Sequence, residues 1–545
     1  MTTGEAKPDY DAIVIGAGVT GIYQTYLLDK EGLNVLGIEG GEGVGGTWYW
    51  NRYPGCRLDT ESYAYGYFAS SGIIPDWNWS ETFAGQAELL RYANAAADAM
   101  DVRRLYRFRT RVTAAHYQDE ENLWKVTLDG QEQLTCRFLV SATGPLNASR
   151  MPDIKGIGSF KGESFHSSRW PLNNDGTAAS IDFTGKRVGI IGTGATGVQI
   201  IPIAAETAEQ FYVFQRSPNW CTPLGNQPLS VEQMALIRKR YPTLLEYIKT
   251  TETAFPYHRD KRKAVDVPKE ERDSFFNDLY NQPGYGIWLS GFRDTLLNRE
   301  SNDFLCQFIA DKIRERVKDP AVAEKLIPTD HPFGAKRVPM ETEYYETFNK
   351  SSVHLVDIHE APIEEVAPEG IRTAGGFYEL DVIIYATGFD AVTGSLDRID
   401  IRGKGGRRLK DEWVDGPSTY LGLQARGFPN FFTLVGPHNG SAFCNIGVCG
   451  GLQAEWVTRM LAYLAANELT FSEPTQAAED EWTESVYKDF ARSLMAEGNA
   501  WWVKVVERPD GTVQRRTLVY VGGGAEYRKQ CEQIAYNGYA GFELA

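Results

Sequence analysis

The chain has no run approaching the roughly 18 apolar residues that a membrane-crossing helix requires. It is also poor in cysteine: seven in 545 residues, odd in number and scattered from Cys56 to Cys531, make no disulfide framework of the secreted kind. Positive charge is in deficit, with 56 basic against 72 acidic side chains for a net of -16. Such a field repels polyanions and argues against nucleic acid as a partner. The first ten residues are polar and lead directly into Ala12-Ile13-Val14-Ile15, without the charged-then-apolar order of a secretory leader. These absences lead to the expectation of a cytoplasmic protein that works on neither membranes nor nucleic acids. Its length exceeds what one ordinary core fills, so two or three domains are expected.

What the chain does have is one local pattern used three times. A short β-branched run is followed by a glycine-rich turn at residues 12–21, 187–197 and 381–388. The first two continue into helical periodicity, the sequence form of βα units in a parallel sheet. The first turn reads Gly16-Ala17-Gly18-Val19-Thr20-Gly21. Gly16 allows the tight turn, Gly18 lets backbone approach a pyrophosphate, and Gly21 lets helix and strand pack closely. Alone this is a common turn; the end of the next strand gives it meaning. That apolar run, Val35-Leu36-Gly37-Ile38, ends at Glu39. A carboxylate there accepts from ribose hydroxyls and repels a 2′-phosphate, which favours FAD or NAD. The second turn reads Gly192-Thr193-Gly194-Ala195-Thr196-Gly197, and its following run ends in Gln215-Arg216-Ser217. A guanidinium in place of the carboxylate pairs bidentately with a 2′-phosphate, so this loop reads as NADPH-binding.

Ala142-Thr143-Gly144 and Ala386-Thr387-Gly388 each close an apolar strand and are expected to mark the two crossings between nucleotide domains. Between Leu224 and Pro328 the texture turns helical, with Met234, Leu236, Ile237, Leu244, Leu245 and Ile248 on helical spacing. Phe304, Leu305, Phe308, Ile309, Ile313 and Val317 repeat it, with Ser301 or Asp303 as the expected cap. The expected fold is therefore α/β, two Rossmann-like dinucleotide-binding domains with a helical insertion. Residues 1–145 and 386–545 form the FAD domain, 146–223 and 331–385 the NADPH domain, and 224–330 the insertion.

Two longer strings are far more specific. One, Phe160-Lys161-Gly162-Glu163-Ser164-Phe165-His166-Ser167-Ser168-Arg169-Trp170-Pro171, fits the pattern Phe-x-Gly-x-x-x-His-x-x-x-Trp-Pro. The other runs from Gly45-Gly46-Thr47-Trp48 to Tyr53-Pro54-Gly55-Cys56-Arg57-Leu58-Asp59. In both, the chain resembles the type I Baeyer–Villiger monooxygenases, and the similarity runs from Tyr10 to the C-terminal Ala545. Tyr63-Ala64-Tyr65-Gly66-Tyr67-Phe68 and Gly436-Pro437-His438-Asn439-Gly440 are most similar to the branch of that family that acts on a cyclopentenone CoA ester. The phenylacetone and cyclohexanone branches are more distant.

The resemblance implies an enzyme that uses FAD, NADPH and O2 to convert a cyclic ketone, bicyclic or CoA-linked, into a lactone or ester through a C4a-peroxyflavin. It implies that Arg337, in Phe333-Gly334-Ala335-Lys336-Arg337, carries the fixed charge that stabilises the anionic oxygen, with Asp59 as its counter-charge. The FAD contacts it implies are Gly16, Gly18, Thr20, Gly21, Glu39, Gly46, Thr47, Trp48, Trp50, Asp59, Tyr65, Val112, Ala142, Thr143, Gly144 and Gly388. Those for NADPH are Arg57, Asp59, Gly192, Thr193, Gly194, Ala195, Thr196, Gly197, Gln199, Arg216, Ser217, Lys336, Arg337 and Trp501, the last interchangeable with Trp502. Of the signature residues Phe160, Gly162, His166 and Trp170, the histidine is expected to hold linker geometry, because this chemistry draws its protons through flavin and NADPH. Phe255, Trp288, Phe443 and Cys444 are candidates for the pocket wall. Arg259, Lys261, Arg262 and Lys263 are candidates for a basic entrance. No metal is expected, and the family implies a homodimer.

Three competing classes share the glycine loops. A nitrogen- or sulfur-oxygenating flavin enzyme has no use for an arginine in the Arg337 role and lacks the Trp170-Pro171 ending. A dithiol reductase would use Cys444 and Cys449, but such enzymes carry their cysteines shortly after the first loop. A flavoprotein that binds NADPH only as a sensor would keep both loops but have no purpose for the Asp59/Arg337 pair.

Overall fold

The computed structural model describes residues 7–67, 73–173, 176–439, 444–508 and 510–545. Tyr10–Ile15 is buried from Ala12 onward, as its unbroken apolar run requires of a strand covered on both faces. It pairs in parallel with Val35–Ile38 and with Glu132–Ser141, so that Ile13 sits opposite both Leu36 and Leu139. Across this eight-stranded sheet the order is Asp400–Arg402, Val112–Gln118, Leu123–Leu128, Glu132–Ser141, Tyr10–Ile15, Val35–Ile38 and Tyr106–Arg107. Phe431–Thr433 adds alongside the end of Glu132–Ser141, placing Phe431 opposite Leu139. Residues near 400 and 430 thus return to a sheet begun before residue 142.

The second sheet has five strands, all parallel, in the order Val353–Asp357, Gln210–Gln215, Arg187–Ile191, Val382–Tyr385 and Glu163–His166. Each sheet carries one glycine turn where its first strand of a βα unit ends, leading into Val19–Lys30 and Ala195–Ala204. Two stretches of chain join the sheets, and they run side by side. Ser149 and Phe389 form an antiparallel bridge, and the Asp390 amide donates to the Ala148 carbonyl at 2.8 Å.

Between residues 224 and 330 the structure is helical, with Val231–Lys239, Tyr241–Thr250, Lys269–Tyr280, Arg299–Arg316 and Pro320–Leu326. The stretch rises from a two-strand stem in which Thr222 and Pro223 pair with Met340 and Glu341. Two local expectations are corrected. The periodicity from Met234 to Ile248 belongs to two helices: Pro242 stands in the first turn of the second, a position where its missing N–H costs nothing. The cap of the later helix is Asn298, whose side chain accepts from the Ser301 amide at 3.0 Å, because the helix starts a turn earlier than its apolar face. Among the described residues no helix is long and apolar enough to cross a membrane.

Candidate active site

The first glycine turn opens onto a cavity of about 400 Å³. Gly16 has φ +109°, and a Cβ there would stand 2.5 Å from the Ala142 carbonyl oxygen. Gly46, at φ +52°, brings a second loop so close that a Cβ would meet the Gly18 Cα at 2.7 Å. Gly18 caps the following helix without any side-chain hydrogen bond, which leaves the first-turn amides directed at the cavity. Glu39 is fixed at the rim: its two carboxylate oxygens accept from the amides of Ala17 at 2.9 Å and Gly41 at 2.6 Å. Each oxygen retains a lone pair for a ribose hydroxyl. The FAD contacts named from the sequence all line this cavity except Gly21, Asp59 and Gly388.

Three arginines that the sequence did not single out also line it, Arg111, Arg169 and Arg398. None has an ion-pair partner among the described residues. Arg111 and Arg169 both lie over the Trp50 ring, at 6.0 and 4.7 Å from its centre. Partial burial, and then the neighbouring Arg111 and Arg398 cations, push the Arg169 guanidinium below its usual pKa. Such like-charge crowding around a glycine cradle fits a diphosphate anion, which a bound FAD brings.

The second turn repeats the geometry. Gly192 has φ +109°, and a Cβ there would stand 2.5 Å from the Ala386 carbonyl oxygen. Beyond the strand end, Arg216 is exposed, and Ser217 and Lys336 gather beside it. Lys336 Nζ donates to Ser217 Oγ at 2.9 Å and to Asp330 at 3.3 Å. Burial, opposed by Asp330 and reinforced by the Arg216 cation, lowers the Lys336 pKa. Two cations and a hydroxyl around one exposed point fit a phosphate monoester. Gln199 tethers this half to the Gly45–Asp59 string: it accepts from Tyr53 Oη at 2.9 Å and donates to the Arg57 carbonyl at 3.3 Å. The Arg57 side chain itself turns to Glu81 at 3.0 Å.

Asp59 and Arg337, 278 residues apart in sequence, meet in an ion pair. Although burial opposes its charge, Asp59 first and then Tyr285 and Tyr53 hold the Arg337 guanidinium protonated well above the usual range. Tyr285 is a second residue that the sequence did not disclose. It is buried against the pair, and Trp288 and Phe255 pack edge-on to its ring at 5.2 and 5.9 Å. Two of the four pocket-wall candidates therefore surround the residue that touches Arg337. Cys444 is buried and disulfide-linked to Cys449 across the start of helix Ile446–Ala466. Phe443 lies outside the described residues.

The remaining candidates divide. His166 accepts from the Ser168 amide at 3.1 Å on Nδ1, so Nε2–H donates to the Gly388 carbonyl at 3.1 Å. It joins the first strand of the second sheet to the returning crossing, and burial lowers its pKa. Trp170 is a core residue whose Nε1 donates to the Ala179 carbonyl. Gly162 lies so near the Asp381 carbonyl and the Phe160 ring that a side chain would collide with both. Trp502 is fully buried and Trp501 only partly. In the basic run, Arg259 pairs with Glu252 and Arg262 with Asp260 and Glu271; Lys261 and Lys263 stay exposed.

Two glycine cradles of opposite polarity, each following a parallel strand of one of two sheets joined by a double crossing, define a two-dinucleotide-binding flavoprotein. Residues 10–254 match the flavin-binding monooxygenase-like family model. The chain is 74% identical, over all 545 residues and the whole of the relative, to the 2-oxo-Δ3-4,5,5-trimethylcyclopentenylacetyl-CoA monooxygenase of Pseudomonas putida. It is 38% identical over 534 residues, 97% of this chain and 95% of the relative, to a Baeyer–Villiger monooxygenase of Pseudooceanicola batsensis. The crystal structure of OTEMO in complex with FAD and NADP superposes with a TM-score of 0.97 at 74% identity, covering 99% of this chain and 100% of that one. The chain belongs to the Baeyer–Villiger monooxygenases.

Proposed function

We propose that this protein uses FAD, NADPH and O2 to convert a cyclic ketone into a lactone or ester, and that its own ketone is a cyclopentenone carried on CoA. One observation carries the reading: the Asp59–Arg337 pair stands where the two nucleotide-binding halves meet, with a constantly charged guanidinium among aromatic side chains. A flavin at the first cradle, with NADPH at the second, would supply the activation of oxygen. The chain's own contribution is electrostatic. Arg337 offers a fixed positive charge to the negative charge that develops on the ketone oxygen. Asp59 orients that guanidinium and offsets the cost of burying it. Tyr285, Trp288 and Phe255 provide an apolar wall for a ring of moderate size. The CoA linkage is supported by the substrate for which the 74%-identical relative is named, and exposed Lys261 and Lys263 remain available to its phosphates.

The test is oxygen-dependent NADPH consumption with and without bicyclo[3.2.0]heptenone, analysing the organic phase for lactone. Wild type is expected to consume NADPH faster with ketone and to yield lactone. Arg337→Ala should still let NADPH reduce the flavin while lactone formation drops by about 10²–10³-fold. Near wild-type ketone oxidation by that variant would remove Arg337 from the chemistry. NADPH oxidation without lactone in wild type would shift the assignment to heteroatom oxygenation or to a narrow CoA-linked substrate range.

A further inference from the structure

Behind the Asp59–Arg337 pair lies a second carboxyl group that the mechanism above does not use. Glu61, on the same segment as Asp59, is 5% exposed. One of its oxygens accepts a hydrogen bond from the Tyr257 hydroxyl. The other, Oε2, is buried with no partner among the described residues. The Tyr257 hydroxyl in turn accepts from the Tyr285 amide at 3.2 Å, and the Tyr285 side chain rests against Asp59 and Arg337. Gly284 leaves the room for this arrangement: a Cβ there would stand 2.9 Å from Glu61 Oε1 and 3.1 Å from the Phe83 ring. The groups facing Glu61 are thus Asp59 and Tyr63 from its own segment, and Tyr257 from the loop opposite. Arg337 is paired with Asp59, and on the neighbouring stretch Arg57 is paired with Glu81.

A buried carboxylate with an unanswered oxygen is costly, and a second carboxylate nearby raises the cost. Burial first, and Asp59 in addition, lift Glu61 to about 7, while the Tyr257 hydrogen bond pulls the other way. A carboxyl so placed gives up its proton near neutral pH. We propose that Glu61 is a positioning residue of this site, whose carboxyl, held by Tyr257, exchanges a proton and so sets how much of the Arg337 charge is available to the substrate. Protonated, it leaves Asp59 as the only carboxylate paired with Arg337 among the described residues. Ionised, it places a second negative charge beside the pair, which cancels part of the potential Arg337 offers. The proposal deepens the functional reading above and rests on it.

The experiment pairs infrared spectroscopy with product coupling from pH 5 to 9, on wild type, Glu61→Gln and Tyr257→Phe holoenzymes. Wild type is expected to show a protonated-carboxyl C=O band that disappears near neutral pH and is absent from Glu61→Gln. Lactone formed per NADPH consumed should fall along the same limb in wild type and stay level in Glu61→Gln. In Tyr257→Phe the loss of a hydrogen bond that favours the anion should move both the band and the limb to higher pH. Infrared spectra of wild type and Glu61→Gln that match at every pH would overturn the proposal, as would a Glu61→Gln coupling profile superimposed on that of wild type. Should Glu61→Gln fail to fold, the direction of the Tyr257→Phe shift decides. A wild-type protein that forms no ester from any ketone sinks the functional reading, and the infrared titration then judges the proton exchange by itself.

Discussion

The two nucleotide-binding halves use one backbone device and differ in what surrounds it. Gly16 and Gly192 share φ +109° and the same 2.5 Å approach of a would-be Cβ to a carbonyl, of Ala142 in one half and Ala386 in the other. The difference begins at the end of the second strand. Glu39 is 7% exposed and pinned by two backbone amides, whereas Arg216 is exposed and has no ion-pair partner among the described residues. The first half encloses its ligand's place among three arginines and an aromatic; the second offers Arg216, Ser217 and Lys336 at an open edge. A cradle of glycines is therefore generic. The charge and burial of a few side chains distinguish the two.

The largest contrast between the halves is expected from Gly16→Ala set against Gly192→Ala. Both force an alanine into the same backbone and the same contact, at a cost of about 3 kcal/mol each. Gly16→Ala should be purified with its flavin lost, and Gly192→Ala should stay yellow but be reduced slowly by NADPH; absorbance per protein and anaerobic reduction measure the two. Equal flavin loss in both would mean that the halves do not act separately. Next in size, Arg216→Ala removes a charged contact worth about 1.5–3 kcal/mol, so the KM for NADPH should rise roughly 10- to 100-fold while that for NADH stays put. Unchanged cofactor preference would take the 2′-phosphate away from this edge. The smallest effect concerns Lys336. Its lowered pKa means that the positive charge, complete below that pKa, is lost at a lower pH than for an ordinary lysine. NADPH affinity should weaken on the alkaline side in wild type and show no such limb in Lys336→Met, as judged by KM against pH.

Much of this was legible from local strings, because glycine spacing and strand endings are short-range facts. Gly16, Glu39, Gly192 and Arg216 could be placed before any fold was known. Arg111, Arg169 and Arg398 could not, since they come from the start of a strand, a signature and the end of a short helix beyond the second crossing, and each reads as a surface charge until the sheet assembles. Arg169 had a signal all the same, lying inside the string that ends in Trp170-Pro171. Asp59 and Arg337 were paired by family resemblance, but nothing in composition or periodicity discloses that Glu61 is buried or that Tyr285 packs against them. Burial of a polar residue is set by what folds over it, here the two ends, Tyr257 and Tyr285, of a stretch that contains the helix Lys269–Tyr280. The helix cap at Asn298 was missed for a simpler reason: the first turn of that helix carries no apolar residue to announce it.

The bridge between Ser149 and Phe389 has a genealogical consequence. Because the chain leaves one half and re-enters it at a single spot, residues 149–389 form a cassette whose ends are already side by side. Exchanging that cassette between relatives would carry over Arg337 and Arg169 while leaving Asp59, Arg111 and Arg398 with the recipient. A chimaera would thus inherit the two members of its Asp59–Arg337 ion pair from different parents, and its coupling of NADPH to oxygenation would depend on how well those strangers fit.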